Sequence, residues 1–336
     1  MNSLVIVAGL VLAFATAVFT TPYVRRLALN VGMLDATGER RMHDQPKPRI
    51  GGIAVYLGFA FALFSALGYL INTHHVDDVG KVHDIVNSIV GLIFGGTLIL
   101  MVGIWDDVMG MSPRVKLLAQ GVVASISMLY GFNIAFVQNP FHHGEIIYLP
   151  LYISIPVTLL WYLGMMNAIN FIDGLDGLLS GLTAIAGMFL LIINLSQGHP
   201  EIALILAALV GGALGFLPFN YNPAKIILGD SGALFIGYVF ATVSILGASK
   251  VAFTISLLVP LVLLGLPVLD TAAAIVRRTA AGRKIYEADR GHFHHQLIFR
   301  FGLNVRQAVL LIYALCIALG VVALFLSGGV GTLKLA

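Results

Sequence analysis

The sequence predicts an all-α polytopic membrane protein with about ten transmembrane helices, both termini on the external side and its polar loops gathered on the cytoplasmic side. Three observations carry this reading. Hydrophobic residues make up 59% of the 336 and charged residues only 10%, where a soluble domain carries about a quarter charged residues. Apolar runs of roughly 17 to 25 residues, the length that crosses about 30 Å of hydrocarbon, recur along the whole chain with short polar gaps. Lysine and arginine fall almost wholly in alternate gaps, as expected where one membrane face retains positive charge.

The spans are expected at 3–20, 51–71, 88–105, 117–137, 152–167, 178–195, 201–218, 231–248, 251–276 and 307–326, and lipid dictates that they be helical. The first run has no basic stretch before it and Arg25 and Arg26 after it, the pattern of an uncleaved span rather than a signal peptide. The loops after spans 1, 3, 7 and 9 hold 16 of the 19 lysines and arginines, leaving Lys81, Lys250 and Lys334 for the other face. That asymmetry explains a pI near 9.0 without nucleic acid as a partner. Cys316 is the only cysteine, so no disulfide forms within the chain. No repeat or soluble insert interrupts the sequence, and residues 1–336 are expected to form one integral membrane domain. Trp105, Trp161 and Tyr162 lie near span ends, where an interfacial aromatic belt is expected.

Ionisable groups are costly in a membrane protein and point to function. Four clusters stand out, all on the cytoplasmic side of the predicted topology. Asp106-Asp107 closes span 3 and leads into Ser112-Pro113-Arg114-Val115-Lys116; adjacent carboxylates are served by a divalent cation or a shared proton, or form a solvated helix end. Asn167, Asn170, Asp173 and Asp176 recur every third residue at the end of span 5, with Gly174 and Gly177 between and after the acids. That spacing places side chains on one side of a turn, and glycine admits a ligand close to the backbone. Asn220 to Gly232 carries Gly229-Asp230-Ser231-Gly232, where Asp230 reads either as the N-cap of span 8 or as a hard oxygen ligand for Mg²⁺ or Mn²⁺. Arg290-Gly291-His292-Phe293-His294-His295 lies in the basic loop 277–306. Zinc spacing is absent there, and a patch facing a diphosphate fits the positive surroundings. Asp270, inside span 9, is a supporting candidate, whereas His74-His75 and His142-His143 read as external loop residues. The stretch from Ile146 to Ile155 reads as a small external hairpin.

Taken together and in this order, the four segments resemble the polyprenyl-phosphate N-acetylhexosamine-1-phosphate transferase family (the glycosyltransferase 4, MraY-like superfamily). The basic stretch Lys47-Pro48-Arg49-Ile50-Gly51-Gly52 is similar to the family's approach to span 2. The MraY type has three consecutive histidines where this chain has His292-Phe293-His294-His295, so the chain looks most like the WecA/TagO type. The resemblance implies transfer of GlcNAc-1-phosphate from UDP-GlcNAc to undecaprenyl phosphate in the bacterial inner (plasma) membrane, with release of UMP. A related UDP-N-acetylhexosamine donor remains open, as do Mn²⁺ in place of Mg²⁺ and a homodimer.

By this resemblance Asp106, Asp107, Asp173, Asp176 and His292 are the expected catalytic residues, and Asp107 and Asp230 the metal ligands. The lipid phosphate attacks directly, oriented or deprotonated by Asp106 or Asp107; an aspartyl nucleophile is the older alternative. Asn167, Asn170, Gly174 and Leu175 hold the nucleotide, with Asp176 accepting from uracil. Lys47 and Lys116 contact phosphates, Asn220 joins the substrate contacts, and Arg290, His294 and His295 close over the sugar and diphosphate. An ion-coupled transporter is the rival class, but transporters place their acids near the bilayer midplane rather than at one surface.

Overall fold

The computed structural model describes residues 3–35, 46–73, 79–138, 146–248 and 293–327, with isolated helical positions at 265, 273, 276 and 279. The described residues form ten helices and two short hairpins. The long helices are α1 (Ser3–Asn30), α2 (Gly52–Thr73), α3 (Val79–Met109), α4 (Pro113–Leu129), α5 (Leu151–Ile172), α6 (Leu178–Ser196), α7 (Pro200–Asn220), α8 (Gly229–Ala248) and α10 (Val305–Leu326); α9 (Phe293–Phe299) is short. Eight of these are long and apolar enough to cross a membrane. The ninth long helix, α4, has 17 residues and reaches only about 25 Å at 1.5 Å per residue.

Most expected spans coincide with a helix, and the differences have local causes. The first helix continues from 20 to Asn30, running on through Pro22 in spite of the N–H that proline lacks, and carries Arg25 and Arg26 on its last turns. Span 4, expected to run to 137, stops at Leu129 because Gly131 takes φ +85°, a left-handed conformation that ends a helix. Residues beyond it enter the strand β3 (Phe136–Gln138), which pairs antiparallel with β4 (Ile146–Tyr148). The expected hairpin is therefore present, but its second half, from Leu151, is already α5. Of span 9 only positions 265, 273 and 276 are described; Asp270 lies outside the described residues, as do His74, His75, His142 and His143.

Several buried polar side chains are paired across the bundle, as an apolar medium favours. Tyr238 Oη lies 2.9 Å from Ser127 Oγ, and Tyr162 Oη lies 2.9 Å from Thr242 Oγ1. Tyr162 is thus no interfacial belt residue: it is fully buried and stacks on Tyr238. Trp161 is likewise tied inward, its indole N–H donating to Ser244 Oγ at 2.9 Å. Trp105 alone of the three is exposed, at 55%.

The segment before α2 is laced to the segment before α8. β1 (Leu34–Asp35) pairs with β2 (Lys47–Pro48), and Pro48 O then accepts from Ile227 N at 2.9 Å. Gly51 N and Gly52 N donate to Ile227 O and Leu228 O at 3.0 and 2.9 Å. This draws the start of α2 against the start of α8 so closely that a Cβ on Gly52 would stand 2.1 Å from Gly232 N. Gly52→Ala is therefore expected to destabilise the chain by about 3 kcal/mol or more. Gly68→Ala, where an added Cβ meets nothing within 4 Å, should leave the thermal midpoint in detergent intact. Equal midpoints for the two variants would contradict the packing.

Candidate active site

The C-terminal ends of α3 and α5 and the N-terminal ends of α4, α6 and α8 meet at one end of the bundle. Three of these are helix N-termini, whose positive dipole ends favour anions. α4 starts at Pro113 behind Ser112, whose hydroxyl accepts from Val115 N at 3.4 Å. That start fixes Lys116 one turn in.

Asp107 is buried, and both of its oxygens are committed. Oδ1 accepts from Asp230 N at 2.9 Å and Oδ2 from Ser231 N at 3.0 Å, so an acid on α3 caps α8 across the helix interface. Gly229 makes room for it: its φ is +76°, and a Cβ there would meet Asp107 Oδ2 at 2.5 Å. Asp230, read from the sequence as either cap or ligand, is thereby released from capping its own helix. Its Oδ1 accepts from Asn170 Nδ2 and from Lys116 Nζ, the latter at 3.0 Å. Lys116 Nζ also reaches Asp106 Oδ2 at 2.8 Å and donates to Asn170 Oδ1 at 3.3 Å. Asp106 Oδ1 accepts from Met111 N at 2.7 Å, which folds the α3–α4 turn back onto the acid. The structure thus gathers Asp106, Asp107, Lys116, Asn170 and Asp230 into one linked cluster.

Asp173 sits beside this cluster, half-buried just after α5, and its carboxylate makes no hydrogen bond or ion pair among the described residues. Burial, and then the negative charges of Asp230 and Asp107, push its carboxyl up to about 8, against the pull of Arg49. Like charges set together in this way are relieved by a proton or a cation. The free oxygens of Asp173 and the second oxygen of Asp230 are hard donors suited to Mg²⁺, which takes one or two carboxylates and fills its remaining positions with water and phosphate oxygens. Among the described residues no three acid, histidine or cysteine side chains converge as a metal site. Asp107, expected as a ligand, has each oxygen accepting from one backbone N–H, whereas the Asp173 carboxylate carries no such bond among the described residues.

Other expected contacts are turned inward. Asp176 is 3% exposed; its Oδ2 accepts from Lys47 Nζ at 2.7 Å, Ala224 N at 2.9 Å and Asn222 Nδ2 at 3.1 Å. The expected contacts of Asp176 with uracil and of Lys47 with phosphate do not match this arrangement, in which the two join the 46–48 segment to the 222–224 loop. Asn220 is buried as well, accepting from Gly177 N and Ser180 Oγ and donating to Ile226 O. Gly174 is exposed beside Asp173, whereas the Leu175 side chain is buried. Asn167 lies one layer below Asn170, donating to Gln120 Oε1 at 2.7 Å. His294 and His295 fall on α9, but their side chains, with Arg290 and His292, lie outside the described residues.

Gln120 and Arg49 were not singled out from the sequence. Gln120 was signalled by an amide four residues after Lys116 in an otherwise apolar helix. Arg49, read only as part of a basic stretch, places Nε 3.4 Å from Asp35 Oδ1 and 3.5 Å from Asp107 Oδ1.

Comparison with known proteins matches residues 89–248, which carry most of this cluster, to the model of glycosyl transferase family 4. A Bacillus subtilis protein named as a probable undecaprenyl-phosphate N-acetylglucosaminyl 1-phosphate transferase is 34% identical over 92% of this chain and 81% of its own length. The chain belongs to this family. A decaprenyl-phosphate N-acetylglucosaminephosphotransferase of Mycolicibacterium smegmatis is 35% identical over 91% of this chain and 78% of its own. The undecaprenyl-phosphate alpha-N-acetylglucosaminyl 1-phosphate transferase of Escherichia coli is 27% identical over 96% and 85%. Such coverage extends the likeness of this family 4 chain well beyond the matched segment, to α1, α2 and α10.

The acid cluster has a measurable signature. Between the ordinary Asp value and about 8, the folded chain holds a proton on Asp173 that the unfolded chain has released, so this group's contribution to stability falls as pH rises through that window. In EDTA, the thermal midpoint of the wild type is expected to fall more steeply from about pH 5 to about pH 8 than that of Asp173→Asn. Parallel pH profiles for the two proteins would rule out the raised carboxyl.

Proposed function

We propose that this chain transfers GlcNAc-1-phosphate from UDP-GlcNAc to undecaprenyl phosphate, releasing UMP, at the cytoplasmic face of a bacterial plasma membrane. The observation that carries the reading is the pairing of relatives named for this transfer, over nine-tenths of the chain, with an acid, lysine and asparagine cluster at one bundle end. Adding α4 and the 251–276 run to the eight long apolar helices gives ten crossings. Over ten crossings the positive-inside asymmetry supports both termini outside and the cluster in the cytoplasm.

In the reaction, an oxygen of the lipid phosphate forms a bond to the β-phosphorus of the donor. The bond from that phosphorus to the bridging oxygen breaks, and UMP leaves with that oxygen. Positioning and charge neutralisation therefore dominate the protein's task. Mg²⁺ bound at Asp173 and Asp230 would supply charge neutralisation on the diphosphate. Lys116 offsets Asp106 and Asp230, which lowers the repulsion a polyanionic substrate meets on entering. Asn170 holds Asp230 in one orientation, and the positive dipole ends of α4 and α8, though capped by Ser112 and Asp107, still favour the phosphates. Asp106 stands nearest among the acids to both Lys116 and the start of α4, and orients the attacking phosphate.

The apolar tail of the acceptor has a place to lie. A groove of about 880 Å³ runs between α4 and α5, lined by Leu117, Leu118, Val122, Leu159 and Leu163, with Arg114 among its lining residues. An isoprenoid chain suits such walls, and Arg114 suits a phosphate at the end of that chain.

The test is UMP release by the purified chain in detergent, with Mg²⁺, a panel of UDP-sugars and polyprenyl phosphates of decreasing length. Release is expected with UDP-GlcNAc, abolished by EDTA, with the acceptor KM rising as the chain shortens. No release with any donor would overturn the reading, and release that survives EDTA would overturn the metal's part in it.

A further inference from the structure

Arg49 is joined to the acid cluster yet hardly used by it. A guanidinium spent on structure turns its fork to a carboxylate and forms two parallel hydrogen bonds. Here both neighbouring acids, Asp35 and Asp107, stand off the single Nε, at 3.4 and 3.5 Å. Neither distance comes with hydrogen-bond geometry at Nε. The two Nη groups, with four N–H donors, make no hydrogen bond among the described residues. The side chain keeps 21% of its surface open, and its charge reaches Asp173.

The backbone that presents Arg49 is held firmly. Arg49 N donates to Met33 O at 3.0 Å. The next residue, Ile50, has φ +68°, the left-handed region in which a β-branched side chain is strained by about 1 to 3 kcal/mol. Such strain persists only where the surroundings over-determine it. They do so here through the pairing of Pro48, Gly51 and Gly52 with Ile227 and Leu228. The chain thus turns at a stated cost immediately after an arginine with unspent donors, beside acids that attract its positive charge but do not satisfy it.

We propose that Arg49 is a substrate-binding residue whose Nη groups grip phosphate oxygens, either of the donor's diphosphate or of the acceptor's phosphate monoester. Asp35 and Asp107 act as positioning residues that hold Nε and so leave the fork open. Lys47, bound to Asp176 at 2.7 Å, is already engaged, and Lys116 is shared among three acceptors. Among the described cations in contact with the acid cluster, Arg49 retains donors to give. A planar fork also suits a phosphate better than a point charge does, which makes lysine an informative replacement.

This inference rests on the transferase reading above, and wild-type UMP release serves as the control that separates the two: its absence would sink that reading and leave Arg49 unaddressed by kinetics but open to UMP-binding calorimetry. With the full-length chain, Arg49→Lys and Arg49→Gln are compared with wild type for thermal midpoint and for KM toward UDP-GlcNAc and undecaprenyl phosphate separately. One of the two KM values is expected to rise about tenfold or more, the loss of a bidentate charged contact, while the midpoint holds for Arg49→Lys. A rise for the donor assigns the diphosphate, and a rise for the acceptor the lipid phosphate. Both KM values within about twofold of wild type in a folded variant, or failure of both variants to fold, would overturn the proposal and make Arg49 structural. In calorimetry, which needs no turnover, unchanged affinities of Arg49→Lys for UMP and for undecaprenyl phosphate would do the same.

Discussion

The capping of α8 by Asp107 is the interaction on which the rest of this site depends. A helix that begins inside an apolar bundle brings N–H groups that its own turns cannot satisfy, and lipid offers no water in compensation. Asp107, at the end of α3, accepts two of them. Because the cap comes from another helix, Asp230 on the first turn of α8 is left free to face Lys116 and Asn170. One carboxylate thus locks two helices together and sets the place of a second. The glycines follow from the same contact. Gly229 yields space to the Asp107 carboxylate, and Gly232 lies against Gly52 at the start of α2.

Charge balance is the second constraint. Asp106, Asp107, Asp173, Asp176 and Asp230 converge on one end of the bundle, and burial makes their mutual repulsion expensive. The fold answers with a different cation for each part of the cluster. Lys47 pairs with Asp176, Lys116 with Asp106 and Asp230, and Arg49 with Asp35 and Asp107. Asp173 receives no such partner among the described residues, and its carboxyl rises accordingly. An unbalanced carboxylate at this end of the bundle is the feature on which the proposed cation rests.

Much of this was legible in the sequence. The spans could be read because the hydrocarbon thickness fixes their length, and the acids could be found because polar residues in an apolar chain are conspicuous. Their division of labour was not legible. Asp107 and Asp230 look alike in sequence, as do Asp173 and Asp176, yet one of each pair is consumed by backbone or loop donors and the other is not. That difference arises from contacts between residues 123 positions apart in Asp107–Asp230 and 129 apart in Lys47–Asp176, which no local spacing encodes. Tyr162 was misplaced for a related reason: an aromatic near a span end reads as interfacial until Tyr238, on another helix, is found stacked on it. Arg49 was hidden in a basic loop whose charge the topology alone seemed to explain.

The most direct test compares Asp107→Asn with Asp230→Asn for thermal midpoint and turnover in the same detergent. Asparagine in place of Asp107 keeps the shape but sets an NH₂ group against a backbone N–H, and loss of a cap costs about 0.5 to 2 kcal/mol. The account expects Asp107→Asn to lose both thermal stability and turnover. Asp230→Asn should keep or raise the midpoint while turnover falls at least about a hundredfold, as for loss of a transition-state charge contact. A wild-type midpoint in Asp107→Asn would contradict the cap, and near-normal turnover in Asp230→Asn would contradict the site built upon it.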